Sequence, residues 1–341
     1  MATGHDSHDT PRDSSRSGPY VAFIRWMEGL SETQFAYLLL TPALLLLGVI
    51  ALWPLLSTFR MSLFADSLTG TSGLGNFVGI QNYVELFTGQ KTYAMPAPFV
   101  PQFDGTLNSI VASALGATLV FTVVSVFFET VIGFGQALVL DQEFYGRRWV
   151  RVAIIIPWAV PVVIQGMIFF LLFQPNVGFL VGSENPTILQ QLGIFSETPL
   201  ASATESMLII IVADIWKTSA FMALLILAGL QSIDRNLYDV ARVAGASKWQ
   251  QFKMITLPLV LPTVLIAMLF RTIAAMRVYG IIDTVSSCQT VPSLSCMVVS
   301  GFSQRQFGTA ATVAFVTAAI IGVVVSVYIA KFASSSMGGD S

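Results

Sequence analysis

Residues 238–258 read YDVARVAGASKWQQFKMITLP, a polar and partly basic stretch between two long apolar runs. Arg242, Lys248 and Lys253 within it have no place in hydrocarbon, where a charge at a helix centre costs about 2.5–3.5 kcal/mol on insertion scales. The stretch is therefore a loop at a membrane surface, with structure of its own. Asp234, Asn236 and Ser247 are residue types that cap helix N-termini. Gly245 can take the left-handed conformation that turns one short helix into another. Pro258 suits the first turn of the apolar run that follows, where its missing N–H is no loss. The spacing predicts a helix–turn–helix over 234–256, with Trp249 and Phe252 as its apolar anchors.

The composition agrees with a membrane setting. The chain of 341 residues is 54% hydrophobic and only 11% charged, with a mean hydropathy of +0.73; a soluble domain carries about 25% charged residues. Net charge is −2, so no global basic field points to nucleic acid. Residues 1–18 are rich in Ser, Asp, Gly, Arg and His with almost nothing apolar, and are expected to be a disordered tail. They lack the short apolar core and small-residue cleavage site of a signal peptide. Beyond them, residues 19–341 are expected to form one membrane domain of six spans of about 20 residues each, near 36–56, 110–140, 152–173, 207–231, 257–279 and 309–332. No run alternates apolar and polar residues over the length of a barrel strand, so the fold is all-α.

Lys and Arg placement sets the orientation. Arg12, Arg16 and Arg25 precede span one, Arg147, Arg148 and Arg151 follow span two, and Arg235, Arg242, Lys248 and Lys253 follow span four; Lys331 ends span six. The opposite loops hold Arg60, Lys91 and Arg305, with Arg277 near that end of span five. The bias predicts a multi-pass protein of the cell membrane with both termini and the 234–256 loop in the cytoplasm.

The loop resembles the "EAA" loop of ABC importer permeases, whose pattern is roughly E-A-A, three residues, Gly, nine residues, I-x-L-P. Here Asp239 stands for Glu and keeps the acid, Val240 and Ala241 follow, and nine residues separate Gly245 from Ile255, Leu257 and Pro258. A second resemblance lies at the start of the chain. Tyr37, Pro42 and Pro54, then FVGIQNYVELF at 77–87, then Asn108 and Ser109, are similar to the N-terminal pattern of carbohydrate-type permeases of the maltose and glycerol-phosphate systems. An insert at 88–105 separates those pieces. The likeness extends to A-type permeases of trehalose importers of the mycobacterial kind.

The resemblance implies a six-transmembrane-helix ABC importer permease fold and a permease subunit forming half of a disaccharide pathway, trehalose being suspected. It implies a second related permease, two ATPase subunits that hold ATP and Mg, and an extracytoplasmic sugar-binding protein or lipoprotein. This chain itself would bind no cofactor and catalyse no bond chemistry. Asp239, Ala241, Gly245, Trp249, Phe252, Ile255, Leu257 and Pro258 would couple it to the ATPases.

Charges inside spans point to the pathway, because each must face protein or water. They are Glu129 in span two, Asp214 and Lys217 in span four, and Arg271 and Arg277 in span five. Asp214, Lys217 and Phe221 share one helical face, and polar groups beside an aromatic ring suit a sugar. An Asp214–Lys217 pair that merely cancels charge is the alternative. Trp216 matches a sugar-contacting Trp of the maltose-type family, although on an ideal helix it points about 200° from Asp214. Arg271, Ala275 and Val278 share a face in span five, where Arg271 is the polar contact. Cys288 and Cys296 lie in an outer loop whose environment permits disulfides, and a bridge between them is expected, two unpaired thiols being the alternative.

No G-x-x-x-x-G-K-[ST], H-E-x-x-H or G-x-S-x-G with a His partner occurs, and the two histidines, His5 and His8, both lie in the tail. That leaves no set of Cys and His for a metal site and no histidine base for a membrane enzyme. An ion-coupled secondary transporter, using Glu129 and Asp214, is the alternative function; it gives no reason for the 238–258 pattern.

Overall fold

The computed structural model describes residues 19–67, 73–91, 95–175, 177–182 and 185–337; the tail at 1–18 lies outside them. The chain divides into two compact units, Met1–Ser57 and Thr58–Ser341. In the first, α1 (Pro19–Glu28) precedes α2 (Glu32–Leu47). The Ser31 hydroxyl accepts the Gln34 N–H while the Gln34 side chain accepts the Ser31 N–H, a capping box that starts α2. α2 passes through a π-helical stretch, Gly48–Leu52, into α3 (Trp53–Ser62). Glu32–Ser62 is thus one apolar run of 31 residues, longer than the expected 36–56. Hydropathy marks only the part suited to hydrocarbon, whereas backbone hydrogen bonding continues out to the cap.

The second unit takes in the end of α3 from Thr58, then a small antiparallel hairpin of β1 (Phe64–Asp66) and β2 (Leu74–Phe77), Phe64 facing Phe77. It is the described departure from an all-helical chain. After α4 (Gln81–Thr88) and α5 (Leu107–Val111) comes the long α6 (Ala114–Asp141). Ser113 accepts the Gly116 N–H and so starts α6 afresh, which places span two later than 110.

The third span departs most from expectation. α7 (Arg147–Ala159) and α8 (Val162–Phe173) meet at a bend of 91°, so 152–173 is a broken pair and not one straight helix. Pro161 has no N–H to continue the ladder, and it forces Val160 out of the helical region, to ψ 127°. A short α9 (Ile188–Gln191) then leads to α10 (Ala203–Gln231).

The loop is α11 (Arg235–Val243) and α12 (Lys248–Gln251). α12 runs without a break through a second π-helical stretch, Phe252–Thr256, into α13 (Leu257–Ala275). Lys248–Ala275 is therefore one helix, and Pro258 lies inside it, not at the start of a separate span. Both π stretches have the same cause. Leu257 N–H reaches back five residues to Phe252 O, as Trp53 N–H does to Gly48 O, and Pro258 and Pro54 come next. The wider turn moves away the carbonyl that each proline ring would strike. Helix α13 ends at Ala275, short of 279, and the chain turns through α14 (Gly280–Val285) and α15 (Leu294–Ser303) into α16 (Phe307–Met337).

Among the described residues, five helices are long and apolar enough to cross a membrane, and the bent α7–α8 pair makes a sixth candidate span. α6 and α10 pack closely: a Cβ on Gly133 would lie 2.6 Å from Met222 Cβ and 2.9 Å from the Ser219 carbonyl. Small residues at helix contacts are how membrane helices gain packing without a hydrophobic drive. One buried cluster holds Phe121, Ile210, Ala275 and Cys296; a second holds Leu140, Met222, Ile226 and Val260, with Ile255 and Tyr238 against it. α6, α10 and α13 each contribute to both clusters, which stack along them.

Candidate coupling loop and substrate pathway

The 234–256 loop is built from local bonds. Asp234 accepts the Asn236 N–H at 3.0 Å to begin α11, and Arg242 pairs with Asp239 three residues back. Gly245 has φ +83°. A Cβ there would touch nothing within 4 Å, so conformation, not space, selects glycine. Ser247 and Gln250 form a capping box for α12, the Gln250 side chain accepting the Ser247 N–H at 2.7 Å. One long-range bond holds the loop to α6, Arg235 to Asp141 at 2.8 Å, and the Tyr238 hydroxyl meets Thr256 Oγ1 at 2.9 Å across the loop itself.

The two aromatic anchors divide. Trp249 is 69% exposed and stacks on Phe252 at 5.5 Å between centroids. Phe252 is half-buried and meets Phe134 of α6 edge-on at 5.9 Å. Phe252 therefore fastens the loop to its own bundle, while Trp249 stays exposed together with Leu237, Val240, Val243 and Met254. Ile255 packs into the nearby core cluster, Ala241 is half-buried, and Leu257 and Pro258 are exposed.

At the level between the two clusters, α6, α10 and α13 each bring one charge inward. Arg271 makes two bonds to Glu129, through Nε and, at 2.9 Å, through NH2; its NH2 also bonds Asp214. Glu129 is fully buried, and Asp214 and Arg271 are both below 10% exposure. The Thr218 hydroxyl donates to Glu129. The alternative of an Asp214–Lys217 pair gives way to this triad: Lys217 is only half-buried and forms no salt bridge among the described residues. One helix's periodicity brought Lys217 to Asp214, but the planar guanidinium from α13 reaches two carboxylates at once. Glu129 is the site residue that the sequence undervalued; its signal was a charge in mid-span.

Phe221 does not join this group; it packs against the cluster on the loop side. Trp216 is 40% exposed and tilts against Phe169 of α8 at 5.9 Å, away from the triad as its helical phase requires. Asp214 and Arg271 instead line a cavity of about 140 Å³ with Phe121, Ala275, Val278 and Tyr279. The face Arg271, Ala275, Val278 thus borders that cavity.

At the other end of α13, Cys288 and Cys296 are joined in a disulfide, their Cα atoms 5.5 Å apart. Nearby, Lys91 is buried and bonds Asn82 Oδ1 at 2.7 Å and Thr309 Oγ1 at 2.9 Å, with Asp66 at 3.5 Å and Glu85 at 3.7 Å.

Residues 129–335 match the family described as "Binding-protein-dependent transport system inner membrane component". The trehalose/maltose transport system permease MalF of Thermococcus litoralis is 31% identical over 293 residues, covering 85% of this chain and 90% of that protein. The sulfoquinovosyl glycerol permease SmoG of Agrobacterium fabrum is 35% identical over 76% of each chain. The trehalose permease SugA of Mycobacterium tuberculosis is 26% identical over 94% of this chain and 95% of its own length. A crystal structure of a bacterial ABC transporter for the acidic polysaccharide alginate superposes with a TM-score of 0.69 at 18% identity, covering 91% of this chain and 99% of the other, and so shares the fold. The chain belongs to the binding-protein-dependent inner-membrane component family, as a permease of the sugar ABC transporter kind.

Proposed function

We propose that this permease carries a neutral disaccharide of the trehalose/maltose type into the cell, driven by ATP hydrolysis on separate ATPase subunits that grip the 234–256 loop. Both termini and that loop face the cytoplasm, and the disulfide end faces outward, where a sugar-binding protein or lipoprotein delivers the substrate. A second, related permease completes the pathway. The observation that carries this reading is the loop itself. A capped helix, a left-handed Gly245 and a second capped helix present Trp249, Val240, Val243 and Met254 to solvent at the end of a continuous helix, Lys248–Ala275. Exposed apolar side chains on a small rigid element are what a partner's cleft takes up. α12 continues into α13, so a pull on the loop is a pull on Arg271 and the cavity beside it.

Alternating access follows if the ATPases bind the loop more tightly in one arrangement than in the other, since a partner shifts an equilibrium only by its differential affinity. The names of two relatives support trehalose or maltose as substrate; the SmoG likeness puts sulfoquinovosyl glycerol on the test panel. The test is uptake by the whole complex in proteoliposomes with radiolabelled trehalose, maltose and sulfoquinovosyl glycerol, with and without ATP. ATP-dependent accumulation of trehalose or maltose is the expected result. Accumulation driven by a proton or sodium gradient without ATP would favour an ion-coupled carrier instead.

A further inference from the structure

A larger cavity, of about 480 Å³, opens beside the disulfide. It is lined by Tyr279, Asp283, Ser287, Gln289, Ser300 and Gln304 among others, with the Cys288–Cys296 bridge forming part of its wall. Tyr279 also lines the 140 Å³ cavity at Asp214 and Arg271. The two spaces therefore share one lining residue, whose side chain bonds Asp283 of the larger one at 3.4 Å. That side chain sits where α13 has ended and α14 has not begun, and interrupted membrane helices are where transporters place binding sites.

The chemistry of the lining narrows the ligand. Hydroxyls and side-chain amides both donate and accept hydrogen bonds, as the hydroxyls of a sugar do. Asp283 supplies one strong acceptor, Tyr279 an aromatic ring, and Met95 and Val299 apolar contact. Among the described residues no Lys or Arg lines the space, so an anionic ligand would find no countercharge there. The volume falls within the roughly 300–1,000 Å³ typical of small-molecule sites, and the inner cavity falls below that range.

We propose that the cavity at the disulfide end is a second saccharide-binding station, which holds a neutral disaccharide before it passes Tyr279 to the inner cavity. This rests on the sugar-permease reading above. A ligand station at the wall of the path explains a feature that the inner site does not: polar side chains facing an open space, held by a disulfide-closed turn. Gln304 Nε2 donates to Ser300 Oγ at 3.1 Å and the Tyr279 hydroxyl faces Asp283 at 3.4 Å, contacts that a sugar hydroxyl can replace one for one.

The test is protection of an introduced thiol in the complete complex. The native cysteines are bridged and do not react, so Ser303→Cys gives one reporter at the cavity rim, with Gln304→Cys as a second if the first folds poorly. Alkylation by a maleimide is timed with and without trehalose or maltose. Protection should be saturable, slowing the reaction about tenfold at ten times the half-protecting concentration. Adding Ser300→Trp, which fills the space, should remove protection. Asp283→Asn should raise the half-protecting concentration by about three- to tenfold, the worth of one hydrogen bond. Phe103→Cys, elsewhere on the exposed surface, should be unaffected by sugar. A complex that transports trehalose or maltose yet shows no saturable protection at either reporter would overturn the station while leaving the permease reading intact. Protection that survives Ser300→Trp would overturn it too. A complex that neither binds nor transports any panel sugar sinks both.

Discussion

At one end of α13, most of the bonds that shape the 234–256 loop join near neighbours, Asp239 with Arg242, Ser247 with Gln250 and Asp234 with Asn236, and its long-range ties are Arg235 to Asp141 and Phe252 against Phe134. At the other end the partners come from far along the chain. Lys91 bonds Thr309, and Asp66 accepts the Thr309 N–H at 3.0 Å. Asn82 donates to the carbonyls of Ser62 and Phe64. A locally closed element keeps its shape when it is displaced, which suits a handle. An element stapled by distant partners keeps its position, which suits a frame around an entrance. The Glu129–Arg271–Asp214 triad lies between them and ties the helix that carries both ends to α6 and α10.

The largest effect is expected where the two ends meet. Arg271→Met leaves two buried carboxylates facing each other, and removing one partner from a buried ionic network costs about 3–5 kcal/mol. Thermal unfolding of the detergent-purified complex should show a clear fall in midpoint, and adding Glu129→Gln should restore part of it. A single mutant as stable as wild type would mean that the triad does not hold α13.

Lys91→Met comes next. It strips a buried cation from Asp66 and Asn82, for a loss on the order of 3 kcal/mol. Hydrogen exchange should then rise at residues 62–66 and 307–312 and stay unchanged at 234–256; a rise at both ends would erase the contrast drawn here. Cys296→Ser should cost about 2–3 kcal/mol, less than a longer closed loop would, read as a lower midpoint that reductant does not lower further. Smallest is Ser247→Ala, about 1 kcal/mol from the lost cap, confined to faster exchange in Lys248–Gln251.

The same contrast explains what was legible in the sequence. Local chemistry reads directly: the apolar spans, the N-caps at Asp234 and Ser247, and the need for φ > 0 at Gly245 all depend on residues a few positions apart. Arg271 and Glu129 are 142 residues apart, and no periodicity within span four pointed past Lys217 to the partner that Asp214 takes. Lys91 counted only as an outer charge, because its burial depends on Thr309 in α16. The bend at Val160 had a local signal, Pro161 with Pro157 before it, yet length and hydropathy alone merged α7 and α8. Trp249 and Phe252 look alike in sequence, and only the position of Phe134 on α6 separates the exposed ring from the anchored one.

The central claim is that work enters through the 234–256 loop, and Gly245→Val tests it most directly. Gly245 sits at φ +83° with empty space around it, so a β-branched residue strains the turn, by about 1–2 kcal/mol for the left-handed conformation, without striking a neighbour. Sugar accumulation and ATP hydrolysis are to be measured together in proteoliposomes carrying equal amounts of assembled wild-type and variant complex. The account predicts that trehalose or maltose accumulation is lost while the variant still assembles, keeps its Cys288–Cys296 bridge and unfolds within a few degrees of wild type. Wild-type accumulation per ATP hydrolysed in that variant would contradict it.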